Sequence, residues 1–219
     1  MHDLNLIQSI AIWTLPVLLA IIVHEVAHGY VANLLGDQTA LMLGRLTLNP
    51  LRHIDPIGTI IMPLVCILAG SFIFGWAKPV PINSRNFKNF RKDTAMVAIA
   101  GPISNLFMAI IWAVFVKSII LFIPNTLMPI ARLFLIHMGY AGITINILLL
   151  VLNLIPIPPL DGSRVVASLL PQRIADIYGK IEQYGFIILI ILMYTNILSR
   201  VIVPPLNWIQ NNIFDFLSI

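Results

Sequence analysis

Charge is what this sequence has least of: only 10% of its 219 residues are Asp, Glu, Lys or Arg, where an ordinary soluble domain carries roughly 25%. That scarcity excludes a water-soluble globular fold. It also removes the usual meaning of a pI near 9.5, because the basic residues sit in short stretches flanking apolar ones and no soluble domain presents them to nucleic acid. Cysteine is almost missing too. Cys66 lies alone in an apolar run, so there is neither an internal disulfide framework nor a thiolate metal site, and it reads as a small buried hydrophobe. No basic segment precedes the first apolar stretch and no small-residue cleavage site follows it, so that stretch is expected to stay in the mature protein. Internal repeats, low-complexity tracts and a loop long enough for an inserted soluble module are all lacking.

What is abundant is apolar length: 59% of the chain is hydrophobic. Residues 6–35, 94–123, 132–155 and 184–203 each reach the roughly 20 residues that cross a bilayer. The expected fold class is an all-α polytopic membrane protein forming one domain over residues 1–219. A fifth apolar segment, 57–74, is short and interrupted by Pro63 and Gly70, which suits a broken or re-entrant piece. Residues 40–48 alternate imperfectly around Gly44 and read as a short β-hairpin or extended loop. Residues 75–93, with Arg85, Lys88, Arg91 and Lys92, read as a basic loop.

Inside the first span stands His24-Glu25-Val26-Ala27-His28. Histidines four apart share a helix face and can grip one metal ion, while the adjacent glutamate can take a proton from water held there. Ionisable groups within a membrane helix are costly unless they pair, bind metal or face a polar cavity. Catalytic zinc sites usually take three protein ligands, so a third must come from elsewhere. Of the other histidines, His2 is terminal, His137 is near the start of its helix, and His53 is the credible candidate. Asp161 is the stronger one, because Pro156, Pro158 and Pro159 break the helix just before it and let an acidic side chain turn inward.

With HEVAH in one span and Asn153-Leu-Ile-Pro-Ile-Pro-Pro-Leu-Asp161-Gly162 after a later one, the chain resembles the site-2 protease family of intramembrane zinc metalloproteases. Ala100-Gly101-Pro102-Ile103-Ser104-Asn105 and the loop from Gly75 to Asn83 resemble further elements of its small bacterial members. The resemblance implies a three-helix catalytic core over about residues 10–170, one zinc ion held by His24, His28 and Asp161, and Glu25 as catalytic base. It also implies substrate handling by Asn153, with Asn105 a weaker second candidate. No PDZ-like or nucleotide-sensing domain accompanies the core. Substrates would be transmembrane helices in the surrounding lipid, received by strand addition along residues 44–49 and gated by the Pro and Gly breaks of residues 56–81.

The motifs also constrain topology. His24 and His28 lie towards the C-terminal end of the first span and Asp161 follows the C-terminal end of the third, so both ends belong to one face. Residues 36–93 then leave and return on that side, with 57–74 re-entering. Arg45, Arg52, Lys78, Arg85, Lys88, Arg91, Lys92, Arg164, Arg173 and Lys180, 10 of the 13 Lys and Arg, share it too. The positive-inside rule makes this face cytoplasmic, here of a bacterial inner membrane, and puts both termini on the other side. Competing readings are a zinc-binding membrane transporter, which has no need of Glu25, a non-catalytic membrane adaptor, and another type of zinc protease using Glu182 as ligand.

Overall fold

The computed structural model describes residues 6–61 and 77–218. Three helices in it are long and apolar enough to cross a membrane, so the chain is a multi-pass membrane protein. The first, α1, covers Leu6–Leu34. A single helical turn follows, α2, Thr39–Met42. The second long helix, α3, is Phe90–Phe122, and the third, α4, is Pro129–Asn153. The chain then passes through α5, Asp161–Leu169, α6, Gln172–Gly179, α7, Glu182–Tyr194, and α8, Ile197–Leu217.

Helix α3 begins four residues before the sequence suggested, because its polar start is capped. The Asn89 side chain accepts from the Lys92 N–H (3.2 Å) and Asp93 accepts from the Asn89 N–H (2.8 Å). Two orphan donors of the first turn are thereby satisfied, so the helix continues past its apolar part.

Three expectations need correction or restriction. Of the hairpin or extended loop expected over residues 40–48, it is not the hairpin that forms: no strand occurs among the described residues, and after the α2 turn the chain proceeds through turns and bends with Gly44 in the left-handed region (φ +61°). The single helix expected over 184–203 is two. The chain breaks at Thr195 and Asn196, where Asn196 takes φ 57°, a conformation asparagine tolerates better than most residues. The adjacent prolines 204 and 205 then lie inside α8 instead of ending a helix. Of the re-entrant segment 57–74, Pro56–Ile61 forms a short π-helical stretch, and residues 62–74 lie outside the described residues, as does Cys66.

The bundle packs by close backbone approach, as membrane helices do where small residues admit a neighbour. A Cβ at Gly142 of α4 would collide with the Trp112 ring of α3, and one at Gly139 with Val116. Trp112, Val116, Ile143, Ile147 and Val151 form the core, closed by Leu198 and Ile202 of α8. The outward faces are apolar instead of charged, with Phe107 63% and Ile111 58% exposed on α3. The Phe214 ring of α8 meets Tyr140 of α4 edge to face, and the carbonyl of Leu217 accepts from Lys117 of α3. Helix α8 therefore packs against both.

Where α1 ends, Gly36 takes φ +111° and turns the chain, and the carboxylate of Asp37 is fully buried. It accepts from the Thr39 N–H (3.1 Å) and hydroxyl (2.5 Å), the Asn83 N–H (2.7 Å) and the Asn86 side chain (2.7 Å). Burial alone would raise this carboxyl, but the bonds from Thr39, Asn83 and Asn86 outweigh it and hold it below the ordinary carboxylate value. A depressed folded-state value means stabilisation that is complete above the unfolded value near 3.9 and lost as pH falls through the folded one. Thermal midpoints of detergent-solubilised protein should separate wild type from Asp37→Asn widely at neutral pH and converge as pH falls well below about 4. An unchanging difference across that range would show that the charge contributes nothing.

Candidate metal centre

Helix α1 presents His24 and His28 one turn apart, their rings edge to face with centroids 4.6 Å apart. Asp161, the first residue of α5, reaches the same point after the proline-rich turn. Gly162 permits this, because any Cβ there would collide with the backbone of Leu154 and Ile155 at the end of α4. Pro158 and Pro159 are in turn backed by Gly185 of α7, where a Cβ would strike the Pro158 carbonyl. The three side chains are all buried and are a group that could hold a metal ion, their ligating atoms within 4.8 Å of one another.

The donor geometry is specific. The Nε2 atoms of His24 and His28 are 3.0 Å apart, and Asp161 Oδ2 lies 3.1 Å from the first and 3.2 Å from the second. Ligands about 2.0–2.1 Å from a tetrahedral zinc lie roughly 3.3 Å from each other, so this triangle has nearly the size the ion requires.

The other ring nitrogens decide what the triangle is made of. His24 Nδ1 faces Asn105 Oδ1 (2.7 Å) and His28 Nδ1 faces the Val97 carbonyl (2.7 Å). Both partners are acceptors, so both Nδ1 atoms carry protons, and in the neutral rings each Nε2 turns a lone pair inward. Asp161 Oδ2 is buried with no hydrogen-bond donor. Three buried acceptors meeting at hydrogen-bond distance repel one another. A single proton could relieve one contact, whereas a cation relieves all three, so the residues fit zinc.

Helix α3 reaches this point at Gly101. A Cβ there would fall on the His28 ring and within 2.6 Å of His24 Cε1, so the absence of a side chain is what lets α3 border the metal position.

Glu25 is half-buried beside the two histidines. Its Oε2 accepts from the Val80 N–H (2.8 Å). The segment carrying Val80 is pinned along α1: Lys78 donates its N–H to the His53 carbonyl (2.9 Å), and Arg45 donates to the carbonyls of Lys78 (3.0 Å) and Pro79 (3.3 Å). Val80 itself packs over Gly29, where a Cβ would lie 2.6 Å from its side chain.

Not every candidate belongs to the centre. His53 is buried but donates from Nε2 to the Thr47 carbonyl (2.8 Å), so the fallback ligand is a loop staple outside the triangle. His137 is on α4 and Glu182 is exposed at the start of α7, neither in the metal-binding group among the described residues. His2 lies outside the described residues. Asn153 is half-buried at the end of α4, donating to the Leu149 carbonyl (3.0 Å). Asn105, the weaker candidate, is fully buried and bonded to His24, Ala20 and Asn146. The reading from sequence missed Asn146, Val97 and Val80. Asn146 alone had a signal, being an amide inside an apolar span.

Comparisons with known proteins agree with this chemistry. Residues 119–195 match the model of peptidase family M50. YwhC of Bacillus subtilis, provisionally named a zinc metalloprotease, is 40% identical over 195 residues, covering 89% of this chain and 85% of that one. Rip2 of Mycolicibacterium smegmatis, named in the same provisional terms, is 27% identical over 199 residues, covering 91% of this chain and 71% of its own. No solved structure matches the chain. An apolar bundle with a buried His-His-Asp triangle beside a glutamate, and 40% identity along most of YwhC, together mean that the chain belongs to peptidase family M50, the site-2 protease family, and is a zinc metalloprotease.

Proposed function

We propose that this protease hydrolyses peptide bonds within transmembrane segments of membrane-protein substrates, as a single domain, with His24, His28 and Asp161 holding one zinc ion and Glu25 as the catalytic base. The observation that carries this reading is depth. Two of the three ligands belong to a helix apolar enough to cross the membrane, and the third helix wall at Gly101 belongs to another. A substrate backbone can meet them there only if it enters the bilayer and gives up its helical hydrogen bonds locally.

Bound zinc supplies a Lewis acid and lowers the pKa of a water beside it towards neutrality. Glu25 takes the proton of the attacking water at its carboxylate and returns it to the departing amine. The Val80 N–H on Oε2 orients that carboxylate, leaving its other oxygen for the proton. Asn153, at the rim where α4 ends, is placed to hydrogen-bond an unwound substrate backbone. The concentration of basic residues on the metal-bearing face supports placing that face in the cytoplasm, in a bacterial inner membrane.

The ligand set is tested by Asp161→Ala. Zinc content of the purified protein should fall from about one per chain to near none, and cleavage of a tagged transmembrane substrate should vanish with it. Full zinc and full activity in this variant would move the third ligand elsewhere.

A further inference from the structure

The two histidines are oriented by unlike partners. His28 donates to a backbone carbonyl, that of Val97, which no substitution removes. His24 donates to a side chain, Asn105. That amide cannot turn over, because its Nδ2 faces two acceptors, the Ala20 carbonyl (3.2 Å) and Asn146 Oδ1 (2.9 Å). Asn146 is fixed in its turn by donating to the Gly142 carbonyl (2.8 Å). Both amides are fully buried. The result is a one-way relay of hydrogen bonds: Gly142 accepts from Asn146, Asn146 from Asn105, and Asn105 from His24. It joins α4, α3 and α1 and ends on a ring whose far nitrogen faces Asp161.

From this relay we infer that Asn105 is a positioning residue that holds His24 as the Nδ1–H tautomer and so keeps Nε2 free for zinc, and that Asn146 locks Asn105 in the orientation that does so. The inference rests on His24 being a zinc ligand. Without the acceptor, the buried Nδ1–H is left unpaired, and the ring can relieve this only by rotating or by moving its proton to the nitrogen that should bind metal. Hydrogen-bond partners of metal-bound histidines typically contribute about 10–100-fold in metal affinity. The bond to Asn146 matters although Asn146 touches neither the histidines nor the metal position, because an amide free to turn would offer His24 an N–H instead of a carbonyl.

The test is zinc affinity by chelator competition on solubilised protein, with the absorption spectrum of the cobalt(II)-substituted form recorded alongside. Asn105→Leu keeps the branched shape, though larger, and removes the acceptor, and should weaken zinc by about 10–100-fold and shift the cobalt bands. A merely space-filling residue would leave the cobalt bands of the bound form in place. Asn146→Leu should weaken zinc measurably with His24, His28 and Asp161 untouched. Should Asn105→Leu fail to fold, Asn146→Leu decides the matter by itself. Wild-type affinity in Asn105→Leu or in Asn146→Leu overturns the inference. A His24→Ala variant separates the two levels: undiminished zinc there would defeat the ligand assignment, while its loss together with a wild-type Asn105→Leu would defeat only the relay.

Discussion

Replacing Glu25 by Gln is expected to slow cleavage of a transmembrane substrate by about 10²–10⁴-fold, the range over which a positioned acid or base contributes, while zinc content stays at the wild-type level. The substitution is conservative in every respect but one. Gln keeps the length of the side chain, and its carbonyl can still accept from the Val80 N–H now bonded to Oε2. The triangle of His24, His28 and Asp161 does not include Glu25. What Gln cannot do is take up a proton. Parallel assays of tagged-substrate cleavage and bound zinc check this, and unimpaired cleavage by Glu25→Gln would sink the mechanism. If the same variant carried zinc across vesicles at an undiminished rate, the transporter reading would gain.

Gly101→Ala is expected to weaken zinc binding by at least about tenfold, although glycine binds nothing. The added methyl would overlap the His28 ring and stand 2.6 Å from His24 Cε1, well inside the roughly 3.5–4.0 Å at which carbon atoms rest against each other. The rings cannot retreat without giving up Asn105 and the Val97 carbonyl, and α3 cannot retreat without opening its packing on α1. Overpacking of this kind commonly costs about 1–3 kcal/mol, and here the strain falls on the two nitrogens that must converge. Zinc affinity should drop by at least about tenfold, with a lowered thermal midpoint. Gly29→Ala is the matched comparison. Its Cβ would meet Leu46 Cδ2 and Val80 Cγ1 at 2.6 Å, neither of them a group of the triangle, so it should lower stability while leaving zinc bound. Equal zinc affinity in wild type and Gly101→Ala would show that the contact yields.

The gross architecture was legible because the bilayer imposes a length. The spans expected at residues 6–35, 94–123 and 132–155 are present with shifts of a few residues at their ends, where a cap or a proline decides the boundary. The C-terminal span was misread because hydropathy continues across Thr195 and Asn196 while the backbone does not. Prolines 204 and 205 lie within α8, since within a bundle a proline's missing donor can be accommodated by neighbouring helices. Of the hairpin or extended loop expected over 40–48, residues 43–49 form the loop, because a short alternating pattern has no partner strand of its own and here the chain lies on α1, with Leu46 against Gly29.

Within the site, sequence supplied the candidate groups and structure shows which of them meet. His24 and His28 share a face because 3.6 residues make a turn, and Asp161 escapes its helix because three prolines precede it, so local rules made all three candidates, with His53 the alternative third ligand. The roles of Asn105 and His53 could not be read from such rules. An asparagine beside the metal and one beside the substrate look alike along the chain, and only the distance between α3 and α1 shows Asn105 bonded to His24. Likewise His53 was excluded by where its loop lies against Thr47, which no spacing encodes. The HEVAH that first suggested a metal is a property of five consecutive residues; whether its two lone pairs and one distant carboxylate converge within 3.2 Å depends on helices packing at glycines, which only the folded bundle decides.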